Sequence, residues 1–220
     1  MKKYVVMLLA IVSINALQAK EFKVTQLSEE PRIFLFENFL SDKECDEFIK
    51  RAKPNLTRST VAGEKAHQDI VHQGRTSSDA WLHTGSDKFL NMIEDRIERA
   101  TKIPKNRGED FQVLHYVDRQ QYLPHHDYYI GEGESAKAFL SRGGQRVATF
   151  IMYLYDTEEG GETKFPMVDI DVAPVRGNAV LFYNVLPDGK VDPLTLHGGA
   201  PVIKGEKWIV TKWLRERPFH

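Results

Sequence analysis

The 220-residue sequence lacks several features that would place it in other classes of protein. It contains one cysteine, Cys45, so no disulfide can form within the chain, and the helical pattern around Cys45 predicts a packed core residue. The net charge is −1 and the basic residues are scattered, so the basic surface typical of a nucleic-acid-binding protein is missing. The sequence has no internal repeat and no low-complexity segment. What is left is one domain, long enough to bury a proper core.

The sequence also lacks a hydrophobic run long enough to span a membrane. Met1-Lys2-Lys3 precede about 13 mostly apolar residues, whereas about 20 are needed to cross a bilayer. We therefore interpret residues 1–19 as a secretory signal peptide, with Ala16 or Ala19 as the cleavage position, in preference to a retained signal anchor. Residues 20–220 would then form a single domain in the endoplasmic reticulum lumen, the periplasm or outside the cell.

The hydrophobic pattern predicts helices first and short strands afterwards. It indicates a strand over 32–37, a helix over 41–52 that opens with a capping box, and a second helix over about 86–101. The polar segment 54–73 has no period, and it is either a mobile loop near the site or an ordinary surface loop. Further strands are expected at 109–117, 146–155, 168–172, 178–185, 195–197 and 207–214. This order predicts an α+β, mainly β fold, with a jelly-roll core buttressed by N-terminal helices.

Candidate metal ligands are concentrated in the stretch YVDRQQYLPHHDYY, residues 116–129. If 121–129 is extended, His125 and Asp127 project from the same face, and the histidine between them points the opposite way and is structural. One such pair is expected by chance, but His197 follows 70 residues later in another extended apolar segment. Two histidines and one carboxylate with open coordination positions form the facial triad of non-haem Fe(II) oxygenases.

A lysine follows the distal histidine at a distance that suggests a second part of the site. Lys207 lies ten residues after His197, across the turn VIKGE. Its ammonium group could hold the remote carboxylate of a dicarboxylic acid that chelates the metal through its other end. A solvent-facing lysine is the ordinary alternative, although the apolar neighbours of Lys207 indicate partial burial, where an unpaired charge is costly. Tyr116 and Thr163 could add hydroxyl donors to the same carboxylate.

A family resemblance rests on seven segments that follow one another along the chain. They read RTSSDAW (75–81), EDFQVLHY (109–116), QQYLPHHDYY (120–129), GGQRVATFIMYLY (143–155), EEGGETKFP (158–166), GNAVLFYN (177–184) and LHGGAPVIKGEKWIVTKWLRERPF (196–219). Together, over about residues 31–219, the sequence resembles the prolyl 4-hydroxylase family of 2-oxoglutarate- and Fe(II)-dependent dioxygenases. The resemblance implies a double-stranded β-helix core, which agrees with the predicted jelly roll.

The resemblance also implies the roles of individual residues. The iron ligands would be His125, Asp127 and His197. The 2-oxoglutarate carboxylate would be held by Lys207 with Tyr116 and Thr163, in a pocket lined by Trp213. The positions around a peptide groove would be Arg75, Ser77, Glu109, Tyr122 and Arg146. An aromatic that only packs in the core is the alternative for Tyr122 and Trp213, and an ordinary salt bridge is the alternative for the two arginines.

Three residues depart from the common family pattern. Arg119 replaces the usual glycine in the turn before Tyr122, Ala200 replaces a frequent cysteine, and Arg215 stands where many members have histidine. None is expected to touch the iron, so the core chemistry should be unaffected. Arg119 makes the turn geometry less certain, and Arg215 could change which peptide is accepted.

The implied reaction consumes 2-oxoglutarate and O2, releases succinate and CO2, and hydroxylates C4 of a peptidyl proline, with ascorbate as the reductant. A proline-rich or collagen-like peptide would bind as a polyproline II helix in an aromatic-lined groove. Three alternatives stay open: a related dioxygenase that acts on another residue, a non-catalytic module that binds proline-rich peptides, and a zinc hydrolase. The hydrolase would leave Lys207 unexplained.

Overall fold

A computed structural model describes residues 22–63, 65, 68–131 and 133–219 of the chain. The predicted signal peptide lies outside these residues. The N-terminal half contains β1 (Lys23–Ser28), β2 (Ile33–Glu37), α1 (Asp42–Ala52), β3 (Thr57–Arg58), β4 (Val61–Ala62), β5 (Asp69–Ile70), β6 (Ser78–Leu82) and α2 (Lys88–Thr101). The rest contains β7 (Phe111–Val117), β8 (Tyr122–His125), α3 (Glu134–Ser141), β9 (Arg146–Tyr153), β10 (Glu159–Gly160), β11 (Thr163–Phe165), β12 (Ile170–Val172), β13 (Ala179–Tyr183), β14 (His197–Gly199), β15 (Val202–Lys204) and β16 (Glu206–Arg215). None of the helices in these ranges is long and apolar enough to cross a membrane.

Two antiparallel sheets form the core of the fold. The larger sheet has the order β1-β2-β13-β9-β16-β7-β6-β3, and a four-stranded sheet has the order β12-β11-β14-β8. One hydrophobic cluster joins the larger sheet to α1 and α2, and a second cluster joins its other face to residues of the smaller sheet, such as Phe165 and Val172. The arrangement confirms the predicted jelly roll with supporting helices.

Alternation along the central strands decides which side chains reach the site. On β9, Ala148, Phe150 and Met152 face the helices, while Ile151 and Tyr153 belong to the cluster between the sheets. The neighbouring strands β16 and β7 divide their residues in the same way, because successive side chains of a strand point to opposite faces. The polar residues on the inner faces of these three strands therefore point into the space between the sheets.

Both supporting helices begin where the sequence contains a capping residue. The side chain of Ser41 accepts a hydrogen bond from the backbone N–H of Glu44, and the carboxylate of Glu44 accepts one from the backbone N–H of Ser41. Asp87 caps α2. Cys45 is fully buried on α1, as predicted. The predicted second helix therefore begins two residues later than expected, because Asp87 and not an earlier residue provides the cap.

The predicted extended segment 121–129 is wrong in its second half. β8 ends at His125, so Asp127 lies beyond the strand. The chain there is held by a side chain instead of a strand partner: the amide of Gln145 donates to the backbone oxygen of Tyr129 and accepts from its N–H. His126 lies 3.0 Å from the backbone oxygen of Pro193 through Nε2 and is not part of the ligand cluster, as expected from its structural assignment.

Two other regions differ from the sequence prediction. The segment 54–73 contains β3 at the edge of the larger sheet and the hairpin β4–β5, so it is not an irregular loop throughout. Helix α3 was not predicted, because its eight residues carry no buried apolar stripe. Arg119 occupies the left-handed region at φ 60, a conformation that favours glycine, and its N–H donates to the backbone oxygen of Val202.

Candidate active site

Three possible metal ligands meet at the paired ends of β8 and β14. His125, the last residue of β8, lies opposite His197, the first residue of β14, in the antiparallel register. The Nε2 atom of His125 is 3.6 Å from Oδ1 of Asp127, and Nε2 of His197 is 3.5 Å from Oδ2. One ligand atom from each residue lies within 4.8 Å of the other two. The structure therefore brings together the three residues that the sequence singled out.

Backbone carbonyls orient both histidines. Nδ1 of His125 is 2.9 Å from the oxygen of Leu123, and Nδ1 of His197 is 3.0 Å from the oxygen of Thr195. Since a carbonyl only accepts, each Nδ1 carries the proton and each Nε2 offers its lone pair to the site. Burial lowers the pKa of His197 to about 4. Burial would raise the pKa of Asp127, but the two histidines and a nearby arginine lower it overall. The result is neutral imidazole and ionised carboxylate, the forms that bind a metal.

This donor set fits Fe(II). Two imidazoles and one carboxylate without a thiolate leave coordination positions open, as in non-haem Fe(II) oxygenases. Catalytic zinc accepts a similar set, so the three ligands alone leave a hydrolase possible. The neighbouring pocket separates the two classes.

An inner pocket of about 40 Å³ extends from the ligands toward Lys207. The side chain of Lys207 is 1 % exposed, and no carboxylate lies within ion-pair distance of its ammonium group in the part of the chain that the structure describes. Burial lowers the pKa of Lys207 to about 8, and the charge of Glu162 opposes that effect. A Cβ atom at Gly199 would lie 3.4 Å from the ammonium nitrogen, so the small residue keeps the pocket open. A buried ammonium group that forms no ion pair with the described residues fits the remote carboxylate of a small dicarboxylate.

Hydroxyl groups flank this ammonium group. The hydroxyl of Tyr153 donates to Oγ1 of Thr163 at 2.8 Å, so the threonine hydrogen is free to be donated into the pocket. The ring of Tyr116 lies 5.2 Å from Nζ of Lys207. Both hydroxyl residues predicted for the carboxylate thus line the inner pocket beside Lys207.

A larger groove of about 410 Å³ opens outside the metal ligands. Its walls come from the hairpin β4–β5, the segment after β8, helix α3 and the C-terminal residues up to Phe219. Trp213 lies where the inner pocket and the groove meet, and it lines both. Its indole N–H is buried without a hydrogen-bond partner among the described residues. An acceptor group of a bound ligand would satisfy this donor.

Arg146 is both a salt-bridge residue and a groove residue. Its Nε and Nη2 atoms donate to the two carboxylate oxygens of Glu109 at 2.6 and 2.8 Å. Its guanidinium lies 3.9 Å from the ring centroid of Trp213 and 5.1 Å from that of Tyr129. The carboxylate of Glu109 is also 2.6 Å from Nε of Arg215. The pair with Glu109 therefore fixes a flat, stacked surface that faces the groove.

Arg75 and Tyr122 form a second stack above the metal ligands. The guanidinium of Arg75 lies 4.8 Å from the ring of Tyr122, which stacks on His125 at 3.6 Å. Arg75 also donates to the backbone oxygen of Thr60 and to Oε1 of Gln112. Its Nε is buried without a partner in the described part of the chain. Because both stacked residues line the inner pocket and the groove, neither is an aromatic or salt bridge confined to the core.

Two residues from the sequence analysis are not on the groove surface. Ser77 is fully buried and bonds Ser59 at 2.9 Å, so it lies inside the fold and does not line the groove. Arg215 is 1 % exposed, and its guanidinium donates to the backbone oxygens of Gly144 and Phe139 at 2.7 and 3.3 Å. Arg215 can therefore affect a bound peptide only through its neighbours.

The sequence analysis missed several buried polar residues next to the site. Thr149 and Tyr153 project from the inner face of β9 and contact Asp127 and Thr163. Gln112 on β7 links Arg75 to Asp79. The sequence could have indicated these residues, because they are polar residues separated by an even number of positions in otherwise apolar strands. Such residues share one face of the strand and need a polar partner when they are buried.

Comparison with known proteins gave consistent matches. Residues 111–215 match the family model of the 2OG-Fe(II) oxygenase superfamily. Probable prolyl 4-hydroxylase 3 of Arabidopsis thaliana is 43 % identical, over 86 % of this chain and 70 % of its own length. Prolyl 4-hydroxylase 5 of the same plant is 40 % identical, over 89 % of this chain and 72 % of its own.

A solved structure is similar in both sequence and fold. The viral collagen prolyl hydroxylase of Paramecium Bursaria Chlorella virus-1, in a 2-oxoglutarate complex, aligns with a TM-score of 0.66 at 30 % identity. The alignment covers 83 % of this chain and 95 % of the viral one. A prolyl-4-hydroxylase of Pseudomonas putida has a TM-score of 0.55 at 18 % identity and supports the fold alone.

Proposed function

We propose that the protein hydroxylates C4 of proline in proline-rich or collagen-like peptides. The premise is that the chain belongs to the prolyl 4-hydroxylase family and is a 2-oxoglutarate- and Fe(II)-dependent dioxygenase. The observation that carries the proposal is the buried Lys207, which has no carboxylate partner among the described residues and lies in the pocket that also contains the His-Asp-His cluster. A zinc hydrolase or a peptide-binding module would leave the buried cation beside open metal positions unexplained. The family resemblance inferred from the sequence is confirmed.

Different residues of the inner pocket would bind the iron and 2-oxoglutarate. Iron held by His125, Asp127 and His197 supplies the oxygen chemistry of this family when it is bound. The ammonium of Lys207 and the hydroxyl of Thr163 are placed to bind the remote carboxylate of 2-oxoglutarate. The apolar side chains that line the same pocket exclude water from the reacting groups, and these are Leu114, Ile151 and Ile209.

The groove supports a peptide substrate. Its wall near the iron ligands consists of stacked flat groups, with Tyr122 on one side and Trp213 under Arg146 on the other. Flat aromatic surfaces suit the polyproline II conformation, which loses little conformational entropy on binding. The names of the relatives, which include a viral collagen prolyl hydroxylase, support proline as the target residue.

We further propose that ascorbate is the reductant, as the family resemblance implies, and that the enzyme acts in the endoplasmic reticulum lumen, the periplasm or outside the cell. The basic and apolar composition of residues 1–19 supports an exported protein. N-terminal sequencing of the mature protein should find a start near Leu17 or Lys20. An intact Met1 on a soluble cytosolic protein would contradict this location.

The test of the activity is an assay with a panel of peptides. The purified enzyme with Fe(II), 2-oxoglutarate and ascorbate should release succinate in the presence of a proline-rich repeat or a collagen-like peptide. Mass spectrometry should locate one added oxygen on proline, and free proline should be a much poorer substrate. The His125→Ala variant should give neither product. Oxidation of another residue would favour a related dioxygenase, and peptide binding without succinate would favour a binding module.

A further inference from the structure

Two fully buried polar residues lie behind the metal ligand Asp127. The Oγ1 atom of Thr149 is 2.7 Å from Oδ2 of Asp127, and the Nδ2 atom of Asn184 is 2.9 Å from the same Oγ1. Both residues are 0 % exposed and line neither the inner pocket nor the groove. They cannot touch 2-oxoglutarate or a peptide, so any function they have must act through the carboxylate.

The direction of these two hydrogen bonds is fixed by their chemistry. A carboxylate that binds a metal is ionised, so the oxygens of Asp127 only accept, and the single hydroxyl hydrogen of Thr149 is donated to Oδ2. The oxygen of Thr149 then accepts from the amide of Asn184, because the opposite amide orientation would set two acceptors against each other. The hydrogen bonds therefore run in one direction, from Asn184 through Thr149 to Asp127.

Asn184 and Thr149, which we call the relay, lie on or next to strands that are more firmly held than the segment that carries Asp127. Thr149 belongs to β9, where it pairs with Phe182 of β13 on one side and Trp213 of β16 on the other. The backbone of Asn184, directly after β13, donates to the oxygen of Val147 and accepts from Asp192, each at 2.9 Å. Asp127, in contrast, lies beyond the end of β8 and outside any strand. The relay ties a ligand on an irregular segment to the centre of the larger sheet.

We propose that Thr149 and Asn184 are positioning residues that hold Asp127 by Oδ2 and so present Oδ1 to the iron as a single ligand oxygen. A carboxylate that bound through both oxygens would use one of the positions that 2-oxoglutarate and O2 require. A carboxylate without this support would also lose orientation before the metal binds, which commonly weakens metal affinity by about 10- to 100-fold. The inference rests on the metal site of the proposed function but not on the identity of the peptide.

The test measures metal affinity, not hydroxylation. Mn2+ would be titrated into the metal-free, full-length protein, and the free ion would be followed by its electron paramagnetic resonance signal. Thr149→Val keeps the shape of the side chain and removes the donor, and it should raise the Mn2+ Kd by about 10-fold or more. Thr149→Ser restores the hydroxyl and should return the Kd to within about threefold of the parent value. Thr101→Val is the matched control, because Thr101 is also buried but bonds only backbone groups, the oxygen of Ile97 in α2 and the N–H of Ile103 after it.

Asn184→Ala provides an independent second variant. It leaves the hydroxyl of Thr149 without its donor, so it should raise the Mn2+ Kd by a smaller factor than Thr149→Val. The proposal is supported if the Kd rises in both variants, recovers in Thr149→Ser and stays unchanged in Thr101→Val, whatever happens to the Tm. Equal Kd values for the parent and either relay variant, each still folded, would overturn it. A parent protein that binds no Mn2+ would overturn both this proposal and the metal site on which the proposed function depends.

Discussion

The inner pocket and the outer groove are built in different ways, although they share Trp213. The inner pocket is lined by side chains from the inner faces of β7, β9 and β16 and from the ends of β8 and β14. The groove is lined mainly by short or irregular segments, which include the hairpin β4–β5, helix α3 and the C-terminal residues. Strand alternation therefore determines which side chains point into the inner pocket. Side-chain contacts between separate segments determine the shape of the groove surface.

The two regions also differ in how their charges are balanced. Lys207 of the inner pocket has no carboxylate partner in the described ranges, so its charge is available to a ligand. In the groove, the charge of Arg146 is already matched by Glu109, which Arg215 also contacts. Because its charge is matched, Arg146 presents a flat guanidinium surface to the groove instead of an unbalanced positive charge. The inner pocket is suited to an anion and the groove wall to an uncharged proline-rich segment.

The largest expected effect tests the unpaired charge of the inner pocket. Lys207→Met should raise the 2-oxoglutarate Kd by about 100-fold, because a charge-assisted hydrogen bond is lost. It should leave metal affinity unchanged and should not lower the Tm of the ligand-free protein, since a buried unpaired charge is removed. Calorimetry with 2-oxoglutarate and a thermal melt measure the two effects.

The matched control for Lys207→Met is on the same strand. Lys212 is also buried on β16 but faces the helices and pairs with Glu94 at 2.7 Å. Lys212→Met should lower the Tm, because it leaves a buried carboxylate unpaired, and it should spare 2-oxoglutarate binding in the folded protein. If the two variants had the same 2-oxoglutarate Kd, Lys207 would not be the carboxylate-binding residue.

The second prediction concerns pH. Burial lowers the pKa of Lys207 to about 8, so the free enzyme holds the ammonium form below that pH and loses it above. The 2-oxoglutarate Kd should therefore be flat below pH 8 and rise by up to about tenfold per pH unit above it. Lys207→Arg stays charged and should remove this dependence even if its affinity is lower. A parent Kd that stays constant from about pH 7 to 9.5 would contradict the assignment.

The third prediction concerns the support of the groove wall. Arg215 contacts Glu109 and fastens the end of α3 through the oxygen of Phe139, and Phe139 stacks on Tyr129 at 4.6 Å. Arg215→Met should therefore raise the peptide KM by about 10-fold and leave the 2-oxoglutarate Kd unchanged. Steady-state kinetics with saturating 2-oxoglutarate measure the change.

A second buried arginine provides the control for Arg215→Met. Arg96 is 7 % exposed and pairs with Glu44 between α1 and α2, on the opposite face of the larger sheet. Arg96→Met should reduce the Tm without changing the peptide KM. If both variants raised the peptide KM equally, the effect of Arg215 would be general destabilisation.

The fourth prediction concerns the hairpin β4–β5. Thr60, Val61, Ala62 and Asp69 line the groove, and the oxygen of Thr60 accepts from Arg75. Shortening the connection between Ala62 and Asp69 should raise the peptide KM by about fivefold and increase 2-oxoglutarate consumption that is not coupled to hydroxylation. The ratio of succinate to hydroxyproline measures the coupling. An unchanged ratio and KM would show that the segment is an ordinary surface loop.

The sequence predicted the inner pocket better than the groove for a physical reason. Lys207 lies on a strand whose apolar run is visible in the sequence, so its face follows from alternation. The strand expected over 195–197 is wrong in its bounds, because Pro193–Thr195 form a short 3-10 helix and β14 begins at His197. Asp127 was identified, but its extended conformation was not correct, because Gln145 holds that segment from another part of the chain. Helix α3 has no buried apolar stripe, and the strands of the hairpin β4–β5 have two residues each, so neither element gives a pattern that the sequence reveals.

The last prediction, equal in size to that for the hairpin, distinguishes direct from indirect support within the inner pocket. The hydroxyl of Tyr153 donates to Thr163 and lines neither the inner pocket nor the groove, so it acts on 2-oxoglutarate only by orienting the threonine hydroxyl. Tyr153→Phe removes one neutral hydrogen bond, worth about 1 kcal/mol, and should raise the 2-oxoglutarate Kd by about fivefold without changing metal affinity. Tyr183→Phe is the control, because that ring belongs to the cluster on the helix side of the sheet. If Tyr153→Phe changed the Kd no more than Tyr183→Phe, the threonine would be oriented by the strand alone, and Tyr153 would serve packing only.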